Sequence, residues 1–425
     1  MRGVLTGPAN QAAVRRRNLS LVLRTVAARG QISRAAVATE VKLTKATVST
    51  LVEELLTAGL LVELGVTRPG TVGRPGLALG LNDHGLAGLG AEVGVDHLAA
   101  CAVDLRGQTR ARVEIDSRNR GRAPEQVMTD LAALVRATEA EVRAAGLTPA
   151  GLTVAVPGLV APDHGTVERV PNLGWFCVSA ADLLRRALLT PGTPAAEGAA
   201  PTEGTPPGSA AELPIRMENE ANLGALAELW LGGHPSLGDF VHVSAEIGVG
   251  SALVIGGQLF RGARGFAGEL GHVPVHPEGP PCSCGARGCL ERYAGEEAVL
   301  RAAGIDPARA AIDHPGPAGR MRLLAKLAED GDPRVQRALN GAGSALGIAL
   351  SGAVNLLDPQ SVVLGGALAD LAPWLLPALD RELHLRVTDR QWRPECLAVS
   401  SLGRNGPLLG AAHSVIHAVL DDPPV

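Results

Sequence analysis

Apolar residues recur every third or fourth position over 18–30 (NLSLVLRTVAARG), which predicts a helix closed by Gly30. Ser33 is placed to cap a short second helix over 33–41 (SRAAVATEV), and Leu43 forms the turn that follows. Thr44 caps a third helix over 44–59 (TKATVSTLVEELLTAG), in which Val48, Leu51, Val52 and Leu55 make one apolar stripe. Two short apolar runs, LLVEL (60–64) and LALGL (77–81), read as strands flanking the Gly- and Arg-bearing GVTRPGTVGRPG (65–76). Three short helices and a hairpin predict a winged helix-turn-helix over 1–80. The competing reading of 65–76 is a plain interdomain linker.

Beyond residue 80 short apolar runs alternate with helical segments. LAGLGAEVGV (86–95) and HLAACAVDL (97–105) predict a hairpin, 124–145 a helix and GLTVAVPGLV (151–160) a strand. PIRMENEANLGALAELWLG (214–232) runs from strand into helix. DFVHVSAEIGVGSALVIGGQLFRG (239–262) is a second hairpin, and SALGIALSGAVNLLDPQSVVLGG (344–366) a helix feeding a strand. This alternation predicts an α/β body over 81–425, two mixed-sheet lobes around a cleft. Residues 190–212 (TPGTPAAEGAAPTEGTPPGSAAE) break the pattern; with almost no large apolar side chain they read as a disordered insert.

Charge sharpens the division. Residues 1–80 carry 11 Lys/Arg against 4 Asp/Glu, a balance of +7, so the remaining 345 carry −11 of the net −4. A basic head on an acidic body points to a polyanion partner for the head. In a winged helix the start of the third helix enters the major groove of duplex DNA. Lys42, Thr44, Lys45, Thr47 and Ser49 sit around that start, and Arg68 and Arg74 on the wing. No apolar run approaches the roughly 18 residues of a membrane span, and no segment resembles a signal peptide. Six cysteines, unevenly spaced, suit a reducing cytoplasm better than a disulfide framework.

Three of those cysteines crowd into eight residues. Cys282, Cys284 and Cys289 form a C-x-C-x4-C knuckle whose Gly285 and Gly288 permit tight turns. Zinc favours thiolate and imidazole ligands in a tetrahedron. His272 would supply the fourth ligand, with His276 the competing candidate. Three sulfurs and one nitrogen leave no position for a reacting water, so the metal would hold shape. Cys101, Cys177 and Cys396 stand alone and read as core residues.

The segment GARGFAGELGHVPVHPEGPPCSCGARGCLE (262–291) closely resembles the signature of the ROK family of repressors, uncharacterised frames and sugar kinases. The resemblance continues in VPGLVAPDHGTVERVPNLGW (156–175), ENEANLGALAE (218–228) and NLLDPQSVVLGG (355–366), and the head looks like that of the family's repressor branch. It implies a two-lobed, actin-like (ribonuclease-H-like) sugar-kinase fold. It also implies a sugar site at Asn219, Glu220, Glu269, His272 and Glu291, with looser matches at Asn172 and Gly158. An ordinary capping or surface role is the competing reading for Asn219, Glu220, Glu269 and Glu291. His272 would then bind zinc through one ring nitrogen and a sugar hydroxyl through the other.

Departures from the family's kinase pattern bear on activity. Kinases of the family carry Asp where this chain has Glu220, one methylene longer. Their first phosphate loop corresponds to 92–97 (EVGVDH), where Asp96 intrudes, and their second to 245–250 (AEIGVG), where Glu246 intrudes. Loops that hold phosphate need exposed backbone N–H groups and no nearby carboxylate. The expectation is a non-enzymatic, sugar-responsive regulator, a homodimer or dimer of dimers on operator DNA. The alternatives are a sugar kinase carrying a DNA-binding head, or a zinc-stabilised protein with a vestigial pocket controlled by a protein partner.

Overall fold

A computed structural model describes residues 11–67, 76–190, 212–233, 238–388 and 393–425. Arg68 and Arg74, and residues 191–211 of the expected insert, lie outside them.

The first 81 residues contribute α1 (Gln11–Arg29), β1 (Ile32–Ser33), α2 (Arg34–Val41), α3 (Lys45–Thr57), β2 (Leu61–Thr67) and β3 (Gly76–Leu81). Ser33 caps α2, its side chain accepting from the Ala36 N–H, and Thr44 caps α3 by accepting from the Thr47 N–H. These hydroxyls satisfy amides that a helix start leaves without partners. Val48, Leu51, Val52 and Leu55 are buried as one stripe. Strand β2 runs three residues past the expected 60–64, through a bulge between Glu63 and Val66.

The first lobe comprises β4 (Leu86–Val93), β5 (His97–Asp104), β6 (Thr109–Asp116), α4 (Pro124–Ala144), β7 (Thr148–Val156), β8 (Leu159–Val160), β9 (Val167–Val170), β10 (Trp175–Val178), α5 (Ala180–Leu189) and β11 (Ile215–Asn219). Its main sheet has the order β11-β7-β4-β5-β6. The second lobe follows with α6 (Glu220–Leu231), β12 (Phe240–Ala245), β13 (Val249–Ile255), β14 (Gln258–Leu259), α7 (Glu291–Ala294), α8 (Glu296–Ala302), α9 (Pro307–Asp313), α10 (Gly316–Glu329), α11 (Pro333–Leu357), β15 (Ser361–Gly366), α12 (Ala367–Arg386) and β16 (Leu397–Val399); the last helix, α13 (Gly406–Asp421), returns to pack on β4, β5 and β7 of the first lobe and beside α6. Its sheet has the order β14-β13-β12-β15-β16. Both sheets are built alike: an antiparallel meander of three strands, with two parallel strands added beside its first. Strands β5, β12 and β15 are buried at every position. Covered on both faces, they read as continuous apolar runs instead of alternating ones.

Head and body share a core. Leu19, Val22, Leu23 and Val26 of α1 belong to the same buried cluster as Cys101 of β5 and Leu408, Ile416 and Val419 of α13. Arg24 pairs with Asp421, and Arg16 lies 3.2 Å from Asp422. The head is therefore seated on the last helix. Among the described residues no helix is long and apolar enough to cross a membrane.

Candidate functional site

A cavity of about 140 Å³ opens between the lobes. That is below the roughly 300 Å³ at the small end of ligand clefts and suits a compact ligand. Its walls include Gly158, Asn172, Asn219, Glu220, Glu269, His272 and Glu291, all seven residues that the resemblance pointed to. They come from five places in the fold: the turns after β7 and β9, the β11–α6 junction, the short 3-10 turn Leu270–His272, and the start of α7.

Asn219 does two things there. Its Oδ1 accepts from the Ala221 and Asn222 N–H groups as the N-cap of α6, and its Nδ2 donates to the Gly158 carbonyl. The capping role weighed for this residue is present, and it fixes the amide at the cavity wall. Glu220 begins α6 directly below. Its carboxyl is held well above the ordinary range because burial disfavours the charged form and Glu246 and Glu92 add like charge. Burial also raises Glu269, with Glu291 adding to the shift and His272 opposing it. Glu291 and Asn172 crowd the Gly248 backbone, where an added Cβ would lie 3.0 Å from Glu291 Oε2 and 3.7 Å from Asn172 Nδ2.

The cysteine knuckle closes one side. Donor atoms of His272, Cys282, Cys284 and Cys289 all lie within 4.8 Å of one another, so the four residues could hold a metal ion. Cys284 Sγ is 3.7 Å from Cys289 Sγ, and Cys282 Sγ is 3.7 Å from His272 Nδ1. Two sulfurs each about 2.3 Å from a tetrahedral zinc lie about 3.8 Å apart, so the spacing fits that ion. Gly285 (φ +97°) and Gly288 (φ +66°) adopt the left-handed conformations that the knuckle's turns demand. His276 is not in the cluster; its ring packs edge-on against Tyr293 at 5.0 Å. With Nδ1 of His272 facing the sulfurs, its Nε2 faces the cavity, 3.7 Å from Glu269 Oε2.

Three features were not foreseen. Arg169 of β9 lines the cavity, donates to the Ser283 carbonyl at 3.2 Å and lies over the Phe176 ring. Its signal was only its place inside a family-like segment. Asp96 and Glu246, expected as free negative charge in the loops after β4 and β12, are both paired. Asp96 accepts from the buried Arg320 at 2.7 Å, and Arg320 also pairs with buried Glu296. Glu246 accepts from Arg404 at 2.7 Å. These loops are occupied by the protein's own ion pairs, which corrects the picture of bare repulsion. Beside them buried His97 sits 3.5 Å from Glu92. Burial opposes its charged form, but Glu92, with Glu246 and Glu114 beyond, outweighs this and lifts its pKa to about 9. Finally, Cys177 is exposed with φ +48° rather than a core residue, and Cys396 is half-buried; Cys101 is buried as expected.

On the head, the start of α3 faces solvent. Lys42, Thr44, Lys45, Thr47 and Ser49 are all exposed. Thr44 and Thr47 share a hydroxyl–hydroxyl hydrogen bond of 2.8 Å. Lys42 and Lys45 have no ionic partner among the described residues, whereas Arg15, Arg29 and Arg34 pair with Glu54, Glu40 and Glu53/Glu63 inside the head.

Residues 88–191 and 209–418 match the profile of the ROK family. The chain is 29% identical over 423 residues to the xylose repressor of Caldicellulosiruptor bescii, covering 97% of this chain and 99% of that protein. It is 26% identical over 336 residues to the glucokinase of Streptomyces coelicolor, covering 76% of this chain and 96% of the enzyme. A crystal structure of a ROK family transcriptional regulator, a homologue of the E. coli Mlc protein, superposes with a TM-score of 0.75 at 23% identity, over 96% of this chain and 97% of that one.

Proposed function

The chain belongs to the ROK family, and from that premise we propose that it is a transcriptional repressor whose hold on operator DNA changes when a sugar occupies the cleft. The observation that carries this reading is the end-to-end likeness to a xylose repressor, head included. The glucokinase likeness spans only 76% of the chain.

In this reading Asn219, Glu220, Glu269, His272 and Glu291 grip sugar hydroxyls, with Asn172 and Gly158 shaping the wall. His272, Cys282, Cys284 and Cys289 hold a structural zinc, which fixes the His272 ring and so aims Nε2 at the ligand. Lys42, Thr44, Lys45, Thr47 and Ser49, with Arg68 and Arg74, meet DNA. Two heads on a homodimer, or a dimer of dimers, read half-sites one or more helical turns apart. The protein works in the cytoplasm, where DNA and thiolate ligands are both available. The loops after β4 and β12 hold ion pairs in place of nucleotide phosphates, so no phosphoryl transfer is expected.

The cavity wall carries four acidic side chains, of which Glu220 and Glu269 are pushed toward the neutral form by burial and Glu246 is paired with Arg404, and its lining guanidinium is Arg169. Such a wall favours an uncharged sugar, and D-xylose is the first to try given the relative's name. Calorimetric titration should give measurable binding of D-xylose or D-glucose and at least about tenfold weaker binding of their phosphate esters, since a cavity with acidic side chains and one lining guanidinium gives a phosphate little to replace the water it loses. A coupled ADP-release assay on the same samples should show no sugar-dependent turnover. Turnover near 1 s⁻¹, within the ordinary enzyme range, would instead establish a kinase with a DNA-binding head.

A further inference from the structure

Two helices span the distance between cleft and head side by side. Helix α6 begins with Asn219 and Glu220 at the cavity wall and runs 12 residues, about 18 Å. Near its far end the Trp230 ring stacks on His417 of α13, with centroids 3.8 Å apart and planes within 12°. Helix α13 begins beside Arg404, whose guanidinium holds Glu246 of the cavity wall. At its other end Asp421 and the following Asp422 pair with Arg24 and Arg16 of α1 in the head. The two rods are locked along their length. A Cβ on Gly410 of α13 would collide with the Leu223 carbonyl of α6, so only glycine permits this approach, and Leu223 of α6 and Ala411 of α13 share one buried cluster.

We propose that α6 and α13 move as one lever that passes sugar occupancy from the cleft to the DNA-binding head, with the Trp230–His417 stack as the contact through which the lever works. The inference rests on the proposed function and goes beyond it by naming the coupling residues. Rigid rods fixed at both ends turn a small displacement at Glu220 into a displacement of the surface on which α1 rests, because packed interfaces respond by shifting as units. Burial, with Arg24 and His413 nearby, pushes the His417 pKa down to about 4, so its ring meets Trp230 uncharged. Trp230 is a positioning residue here; it touches neither sugar nor DNA.

Coupling is reciprocal, so the factor by which sugar changes operator affinity equals the factor by which operator changes sugar affinity. Both are measured for the full chain with D-xylose and a labelled operator duplex, by anisotropy and calorimetry. The parent should show a factor of about 5–150. In Trp230→Ala the factor should fall to about twofold or less, while the separate affinities for sugar and for DNA move about threefold or less. A residue needed only for packing would lower the melting temperature and leave the factor intact, and that result would overturn the proposal. Should Trp230→Ala fail to fold, His417→Leu removes the stack while keeping bulk, and the same two outcomes apply. A parent chain showing no coupling would sink the repressor reading itself and the lever with it.

Discussion

Cys284→Ser is expected to release the bound metal, lower the melting midpoint and weaken sugar binding about tenfold or more. Besides the metal, the knuckle is held by local backbone hydrogen bonds such as the Cys282 N–H to the Ala286 carbonyl and the Gly288 N–H to the Pro280 carbonyl. Outside two isolated bridges, Pro274 with Cys289 and Pro281 with Arg287, residues 273–290 form no helix or strand. A serine hydroxyl is a far weaker zinc ligand than a thiolate, and even loss of a hydrogen bond behind a ligand costs 10–100-fold in metal affinity. The effect reaches the cavity through His272, whose Nδ1 lies against Cys282 Sγ and whose Nε2 lies near Glu269. Without the metal the ring loses its fixed orientation, and with it the direction of the hydrogen bond offered to a ligand. Elemental analysis and calorimetric titration of parent and variant check both halves. One equivalent of metal retained in the variant would contradict the assigned ligands.

The second large effect is expected at Arg320. Its side chain is buried, pairs with Glu296 on its own lobe and donates to Asp96 on the other. Removing one member of a buried ionic group leaves the others charged and dry, at about 3–5 kcal/mol. Arg320→Ala should therefore lower stability by that amount, more than any exposed ion pair here. The sign of its pH dependence follows from Glu296. Burial already raises this carboxyl above its ordinary value, opposed by Arg320, so without Arg320 the shift is larger. A folded state that binds a proton more readily than the unfolded one gains stability as pH falls. The variant should thus recover part of its loss between pH 7 and pH 5 in thermal melts, and Glu296→Gln combined with Arg320→Met should recover most of it at pH 7. A variant that melts with the parent, or worsens on acidification, would show that the triad does not tie the lobes.

What the sequence disclosed follows from the range of each signal. Helix caps and turns are local, so Ser33, Thr44 and the α3 stripe were readable within a dozen residues, as were the β4–β5 and β12–β13 hairpins. The metal cluster was readable because three ligands fall within eight positions. Spacing left His272 and His276 equally placed, since both precede the knuckle; the fold brings the His272 ring against the sulfurs and packs His276 on Tyr293. Partners that meet only in the folded chain left no local trace. Asp96 and Arg320 are 224 positions apart and Glu246 and Arg404 are 158 apart. Each looked like a lone charge in its loop. The repeated strand order of the two sheets was hidden for the same reason, because register between distant strands has no signature in either strand alone.

A sugar in the interlobe cleft is expected to change the affinity of the head for duplex DNA. The most direct measurement of that change is an equilibrium titration of the full chain against a fluorescent operator duplex at fixed salt, without and with saturating D-xylose, with Lys45→Ala run alongside. The predicted result is a shift of the dissociation constant by about fivefold or more with sugar. Lys45→Ala should bind DNA more weakly in both conditions, with a salt slope smaller by about one unit if Lys45 meets phosphate. Identical curves with and without every sugar that the cleft binds would show that the cleft does not control the head.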